Sequence, residues 1–426
     1  MTRVVFLIFG LLCVSSLAGQ ADTSRITRLL TDYRIRATVG LQFWTTYSPN
    51  VEVYDPERRD FVATDPRMNA QLRRSRFTLT GQPYRRLRFN IVTALDQLGH
   101  DGLAATQAGS GGGTPTFRLW NAWLQWQLLR NSDRLYLITG YFLPVIGRES
   151  ATPALRSTSF EKAWSQFYLR RHLTGPGSGR ATGLLLAGQH HGADNRWHLT
   201  YEAAWQNPLP LAYDGTSAGD RYAPLLGGRL SVQWGDAEAA TYTLPRRVNY
   251  FGERRGATLS LSGARQGRSD QFVVNRAYGF EGLGNYGTWQ IDGEYLWLDR
   301  RGETRAGTVA VRSRTGYLRA SRNWSLPASR TLQPTVSYWW FRGATDYEEA
   351  RLAEMLATFT GTDSGLDLGA NFYLNPDVKF SLFYAHRRGG SVEDLPATTN
   401  NAYFQQAGIG AVRRGSYVGT GLVVWL

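Results

Sequence analysis

Hydrophobic and polar residues alternate with a period of two along most of the chain, in runs of about ten residues, the pattern of membrane-spanning β-strands. From Arg34 to Thr45, Ile35, Ala37, Val39, Leu41 and Phe43 share one face, while Arg34, Arg36, Thr38, Gly40 and Gln42 share the other. Phe77 and Leu79 oppose Arg74, Arg76, Thr78 and Thr80, and Leu87, Phe89 and Ile91 oppose Arg88 and Asn90. Trp120, Leu124, Trp126 and Leu128 oppose Asn121, Gln125 and Gln127; Leu199, Tyr201, Ala203 and Trp205 oppose His198, Thr200, Glu202 and Gln206. Trp289, Ile291, Tyr295 and Trp297 oppose Gln290, Asp292 and Glu294. Leu366, Leu368, Ala370, Phe372 and Leu374 oppose Asp367, Gly369, Asn371 and Tyr373.

A soluble β-sandwich alternates too, with its apolar face inward. Three features favour a membrane barrel with the apolar face outward. The runs are longer than the ~5–6 residues of ordinary sheets. Aromatics make up 13% of the chain, many near run ends, where an interfacial girdle would sit. The polar faces are rich in Gly, Ser, Thr, Gln and Arg, which suit water and pack poorly as a core. Leu41, Phe89, Leu124, Trp205, Tyr295 and Phe372 are therefore expected on the outer surface.

Short and long connections also alternate. Short ones fall at 83–86, 130–133 and 375–377; long ones span 48–73, 98–114 (with a glycine-rich stretch at 109–113), 143–179, 208–224 and 344–362. Tyr347 to Thr358 has helical propensity inside one of them. Seventeen strand-like runs can be counted, and a barrel with both termini on one side needs an even number. Joining Tyr403–Arg413 to Ser416–Leu426 across Gly415 gives sixteen, the preferred reading; an extra strand at Ser159 to His172 gives eighteen. Val418, Thr420, Leu422, Val424 and Leu426 alternate to the last residue, like the terminal signal read by barrel-assembly machinery, with Trp425 penultimate in place of a final aromatic.

The first residues break this pattern. Arg3 precedes an apolar run from Val4 to Leu12 and then small residues, which reads as a signal peptide, residues 1–21, cleaved within 18–21. The run is shorter than the ~20 residues a spanning helix needs. Cys13, the single cysteine, lies within it, and Leu12 before it is unsuited to a lipoprotein site. The remaining 22–426 is read as one barrel domain without disulfide or thiolate metal site.

The charge is +14, of which Arg3 leaves with the signal segment. Of 48 basic residues only Lys162 and Lys379 are lysine. The arginines are spread along the chain without a basic block or a nucleic-acid motif, so export argues against nucleic acid as partner.

Three segments resemble the phosphate-selective porin O and P family. Arg73-Arg74-Ser75-Arg76-Phe77-Thr78-Leu79-Thr80-Gly81 is similar to its early strand with paired arginines, and Gly140-Tyr141-Phe142-Leu143-Pro144-Val145-Ile146-Gly147-Arg148-Glu149 to its strand-to-loop motif. Leu368 to Phe380, containing Gly369-Ala370-Asn371-Phe372-Tyr373-Leu374-Asn375-Pro376, resembles its penultimate hairpin. The resemblance covers roughly residues 30 to 426. It implies a sixteen-stranded, usually trimeric outer-membrane porin whose loop at 143–179 folds into the pore. It does not by itself imply phosphate: phosphate specialists cluster lysine with arginine, and this chain has almost no lysine.

In such a pore, fixed positive charge offsets the hydration an anion loses in a constriction, and arginine offers a permanently charged planar fork. Alternation and the 143–179 loop nominate Arg34, Arg36, Arg74, Arg76, Arg148, Arg156, Lys162, Arg170, Arg171 and Arg229, with Arg312 and Arg314 as weaker candidates. Solvated charge or lipopolysaccharide contact is the plain reading of each. No cofactor or metal is expected: His100, His172, His190, His191, His198 and His386 show no ligand spacing, no motif joins serine to histidine, and Gly279–Gly284 lacks the strand–helix context of a phosphate loop. The expected function is a non-enzymatic porin for small anions, possessing outer-membrane lipid and lipopolysaccharide contacts and homotrimeric. The alternatives are a weakly selective structural or adhesive barrel, and a hydrophobic-solute transporter, for which residues 22–33 are too few to form a plug.

Overall fold

The computed structural model describes residue 28 and residues 30–426, apart from 107–114, 116, 195, 209–220, 222, 306, 394, 396 and 407. The signal segment at 1–21, the glycine-rich stretch at 109–113 and most of the connection at 208–224 lie outside the described residues.

Sixteen strands form one closed wall. They are β1 (Arg36–Ser48), β2 (Arg67–Tyr84), β3 (Leu87–Leu95), β4 (Phe117–Gln127), β5 (Tyr136–Phe142), β6 (Ala181–His191), β7 (Trp197–Asn207) and β8 (Leu225–Gly235). They continue as β9 (Gly256–Gln266), β10 (Val274–Tyr286), β11 (Trp289–Thr304), β12 (Gly307–Arg322, resumed at Trp324–Leu326), β13 (Arg330–Arg342), β14 (Thr362–Asn375), β15 (Val378–Gly390) and β16 (Tyr417–Trp425). Each pairs antiparallel with its chain neighbours, and β1 closes on β16, with Gly40 opposite Trp425 and Tyr47 opposite Val418. Among the described residues the wall has no open edge, so its strands pair their backbone groups with one another.

The count of sixteen is reached by a different route from the one expected. Gln405–Gln406 and Gly410–Arg413 do not extend β16; they join Glu52–Asp55 and Asp60–Ala63 in a small separate sheet at the loop end. Ser159 to His172 is not a strand but part of a partly helical segment.

The wall faces divide by parity. Leu124 and Trp205 are exposed on the outside, and Leu41, Phe89, Tyr295 and Phe372 share that face. A charge on the lipid face costs about 2–4 kcal/mol at mid-membrane and little near the interfaces, so outward apolar residues fill the middle of the strands. Of the register shifts in the wall, two turn an extra side chain toward the lumen. Between β1 and β2 the register slips after Gln42, so Arg74 faces Gln42 and Leu72 faces Phe43. Arg73, the extra residue, turns inward beside Arg74. Between β3 and β4 Val92 pairs with Asn121 and Thr93 with Leu119. Trp120, expected on the lipid face, is the extra residue and turns toward the lumen. Arg312 and Arg314 correct the reading in the other direction: Val311, Thr315, Tyr317 and Arg319 hold the inner face of β12, and the two arginines point outward.

Candidate pore and constriction

Two segments occupy the lumen from opposite ends. The first, 143–180, follows β5. Gly147 has φ 81°, and a Cβ there would lie 2.8 Å from Leu169, so only glycine makes the turn into α1 (Arg148–Ala151). A short 3₁₀ turn, Ala154–Arg156, and helix α2, Ser165–Thr174, follow.

This segment touches most of the inner wall. Phe160 stacks on Trp44 of β1 at 4.2 Å between ring centroids. Glu149 and Asp292 of β11 share the guanidinium of Arg319 on β12, at 3.1 and 2.6 Å, with all three fully buried. Ser165 donates to Glu294 (2.7 Å), and Tyr168 donates to Asp363 of β14 (2.5 Å) while stacking on Phe341. Asn371 donates to the Thr158 carbonyl, and Lys379 of β15 to that of Ser157 at 2.7 Å. Leu169 and Leu173 of α2 pack with Leu296, Leu298, Tyr317 and Trp339, so the lumen on the β11–β13 side is filled by an apolar core.

The second segment, 236–255, joins β8 to β9 at the end where the other connections are tight turns. It enters the barrel. Glu238 receives both Arg148 Nη atoms (3.2 and 2.7 Å), Arg246 N–H donates to the Ala151 carbonyl (3.1 Å), and Tyr242 and Arg246 both donate to Glu202 on β7. Asn285 and Asn323 hold its backbone and side chain at Val248 and Asn249. Sequence reading passed over this insertion. Its signal was present: Asp236 to Arg255 lacks alternation and exceeds the length of a tight turn.

Between the segments and the β1–β5 wall lies a cavity of about 420 Å³. Its lining includes ten arginines and Lys162 against three carboxylates, Asp96, Glu161 and Glu202. Glu161 is gripped by Arg73 (3.0 and 2.6 Å) and Arg74, and Arg76 pairs with Asp96. Burial favours the neutral acid, but Arg73 and Arg74 outweigh it and hold Glu161 down at about 2. Lys162 donates to the Thr152 carbonyl at 2.6 Å, and burial joined by Arg170 pushes its ammonium well below the usual lysine range. The Trp120 ring is flanked by the guanidiniums of Arg180 (3.9 Å), Arg76 (4.2 Å) and Arg118 (5.8 Å). A second cavity of about 410 Å³ meets the first at Pro153, Leu155, Arg156, Pro245, Arg246 and Trp425 and reaches the turn at Pro376–Asp377.

The nominated residues therefore separate. Arg74, Arg76, Arg156, Lys162, Arg170, Arg171 and Arg229 line the first cavity. Arg229 is also held by Glu202 and Glu281. Arg148 is fully buried between Glu238 and Glu281 and ties the two inserted segments to the wall. Arg34 and Arg36 stand apart at the turn end, Arg34 donating to Gln82. Arg73, Arg118, Arg180 and Arg246 join the lining without having been nominated. Alternation hid Arg73 behind its bulge, and Arg180 and Arg246 lie outside the strands. Among the described residues no group of three or more metal-ligating side chains occurs.

A closed sixteen-stranded antiparallel barrel with an inserted segment after its fifth strand defines the porin class of fold. Solved structures of that class superimpose along nearly the whole chain. An anion-selective porin from Comamonas acidovorans matches with TM-score 0.55 and 12% identity, over 92% of this chain and 99% of that one. OprB of Pseudomonas putida matches with TM-score 0.54 and 10% identity, over 94% and 96%. The outer membrane channel DcaP of Acinetobacter baumannii matches with TM-score 0.53 and 10% identity, over 92% and 97%. No family model and no curated protein sequence matches the chain.

Proposed function

We propose that this protein is an outer-membrane porin that passes small anions by diffusion. The carrying observation is the cavity lining, with its excess of guanidinium over carboxylate beside a path that continues to the turn end. Low-dielectric walls focus such a field into the lumen, and arginine forks can take over the hydrogen bonds an anion gives up. The name of one structural neighbour, an anion-selective porin, agrees with this reading. Phosphate and other oxyanions are candidate solutes, in keeping with the resemblance to the phosphate-selective family. The same reading includes export by the segment 1–21 and assembly as a homotrimer.

Purified protein in a planar bilayer under a potassium chloride gradient tests it. The expected reversal potential has the sign of chloride preference, and added phosphate lowers chloride conductance if the guanidiniums bind it. A potential near zero, or of the cation sign, refutes anion preference and leaves the barrel intact.

A further inference from the structure

Arginines also stand on the outside of the barrel, and only on part of it. Near the loop end, Arg265 of β9 is directly opposite Arg276 of β10. Arg276 is opposite Asp299 of β11, and Asp299 is opposite Arg312 of β12. One step lower, Arg314 faces Arg342 of β13. Parity places all of them outward, because Ala264, Ala277, Leu298, Val311 and Phe341 hold the inner face. Asp299 is the one carboxylate inside this row, and Arg301 (3.3 Å) and Arg312 (4.0 Å) share it. Nε of Arg276 has no hydrogen-bond partner.

Directly beneath the row lies an outward aromatic cluster. Tyr278 stacks on Trp297, Phe280 on Tyr295, and Tyr338 on Trp340. Arg314 reaches the Tyr295 hydroxyl at 3.5 Å. Aromatic rings of this kind sit at headgroup level, so the arginines sit just above it, where lipid phosphates lie. The other arc is different. Its outward loop-end positions on β16 and β1–β8 include Tyr47, Ala70, Phe117, Leu184, Leu226 and Val418, with no arginine or lysine among the described residues.

We propose that the outward face of β9–β13 binds the phosphates of an acylated glycolipid of the outer leaflet, with Arg265, Arg276, Arg312, Arg314 and Arg342 as the cation row. The inference rests on the outer-membrane reading above. Charge complementarity selects the occupant: closely spaced guanidiniums repel one another unless an anion sits between them, and a phosphate accepts two parallel N–H bonds from each fork. The acyl chains then lie on the aromatic cluster. A second copy of this chain presenting the same row would meet like charge, so the uncharged arc is the one left for neighbouring subunits.

The test uses detergent-solubilised protein and lipid A, phosphorylated or enzymatically dephosphorylated, with retention measured by native mass spectrometry. Phosphorylated lipid should bind at least about tenfold tighter, with the difference shrinking at high salt. The variant R276Q/R312Q/R314Q/R342Q should lose that margin while its single-channel conductance in phosphatidylcholine bilayers stays unchanged. Equal retention of the two lipids by the unaltered protein overturns the site, and this comparison stands whatever the variant's folding yield. Displacement of the lipid by millimolar inorganic phosphate would also overturn it, by assigning the row to the free ion. A chain that forms no channel at all would instead refute the porin reading.

Discussion

The two sides of the lumen use arginine in opposite ways. On the β10–β15 side the inner guanidiniums are held: Arg319 by Glu149 and Asp292, Arg387 by Asp363, Arg148 by Glu238 and Glu281, and Arg300 by Asn275 and the carbonyls of His172, Leu356 and Ala357. That side is closed by a packed core around Tyr168 and Leu169. On the β1–β5 side Arg118, Arg170 and Arg180 face the cavity with no carboxylate within ion-pair distance, among the described residues, and open space takes the place of the core. The residue type alone does not set its role. A buried carboxylate, or for Arg300 a set of carbonyls in the packed core, turns arginine into a rivet; Arg118, Arg170 and Arg180 instead direct their charge at the cavity.

Removing a rivet should have the largest effect. Arg319→Leu strands Glu149 and Asp292 in a buried site, and breaking such a network costs on the order of 3–5 kcal/mol. Denaturant unfolding should show that loss, and single-channel conductance should rise as segment 143–180 comes away from β12. Unchanged stability and conductance would mean that the two sides do not differ in kind.

Arg118→Gln, Arg170→Gln and Arg180→Gln together should leave stability nearly intact and lower the chloride-to-potassium permeability ratio by about threefold at low ionic strength, less at high salt. A stability loss as large as that of the Arg319 variant would erase the distinction.

Glu161→Gln runs the other way. Freed from their carboxylate, Arg73 and Arg74 should raise anion preference by roughly twofold. Because Glu161 is held down at about 2, its stabilising contribution is complete above the usual carboxylate value of 4.5 and is lost as pH falls through about 2. Between pH 7 and about 4 the reversal potential of the unaltered protein should therefore show no step from this group.

The smallest effect belongs to Lys162. Its ammonium is pushed below the usual lysine value of 10.5 by burial and Arg170, so it loses its proton in less alkaline solution than a free lysine does. For a lysine shifted in this direction, burial opposes the charged form, and stability rises as pH climbs toward 10.5. Anion preference should fall by less than about twofold over the same range, and Lys162→Met should abolish that slope.

The sequence made the barrel legible because alternation is local: a strand such as Trp197–Asn207 states both its faces without reference to its partners. What depends on pairing was not legible. A bulge inserts one residue and inverts parity on one side of it, which put Arg73 and Trp120 in the lumen against their pattern. Gly410–Arg413 alternates as a wall strand does, yet its partner is Glu52–Asp55, a choice made by two loops far apart in sequence. The matching carboxylates behaved similarly. Glu238 lies in an insertion with no periodicity, so nothing local showed that Arg148 would be neutralised while Arg170 would not.

The insertion at 236–255 also gives the lumen two unlike ends. It enters from the turn end alone, and the two cavities meet beside Arg156 and Arg246. In the porin proposed above, an anion driven from the loop end would pass the guanidinium cluster before that junction, and one driven from the turn end would meet the junction first. Ion concentration at the junction would then depend on the sign of the voltage, and the expected current–voltage curve is asymmetric about zero even in identical solutions.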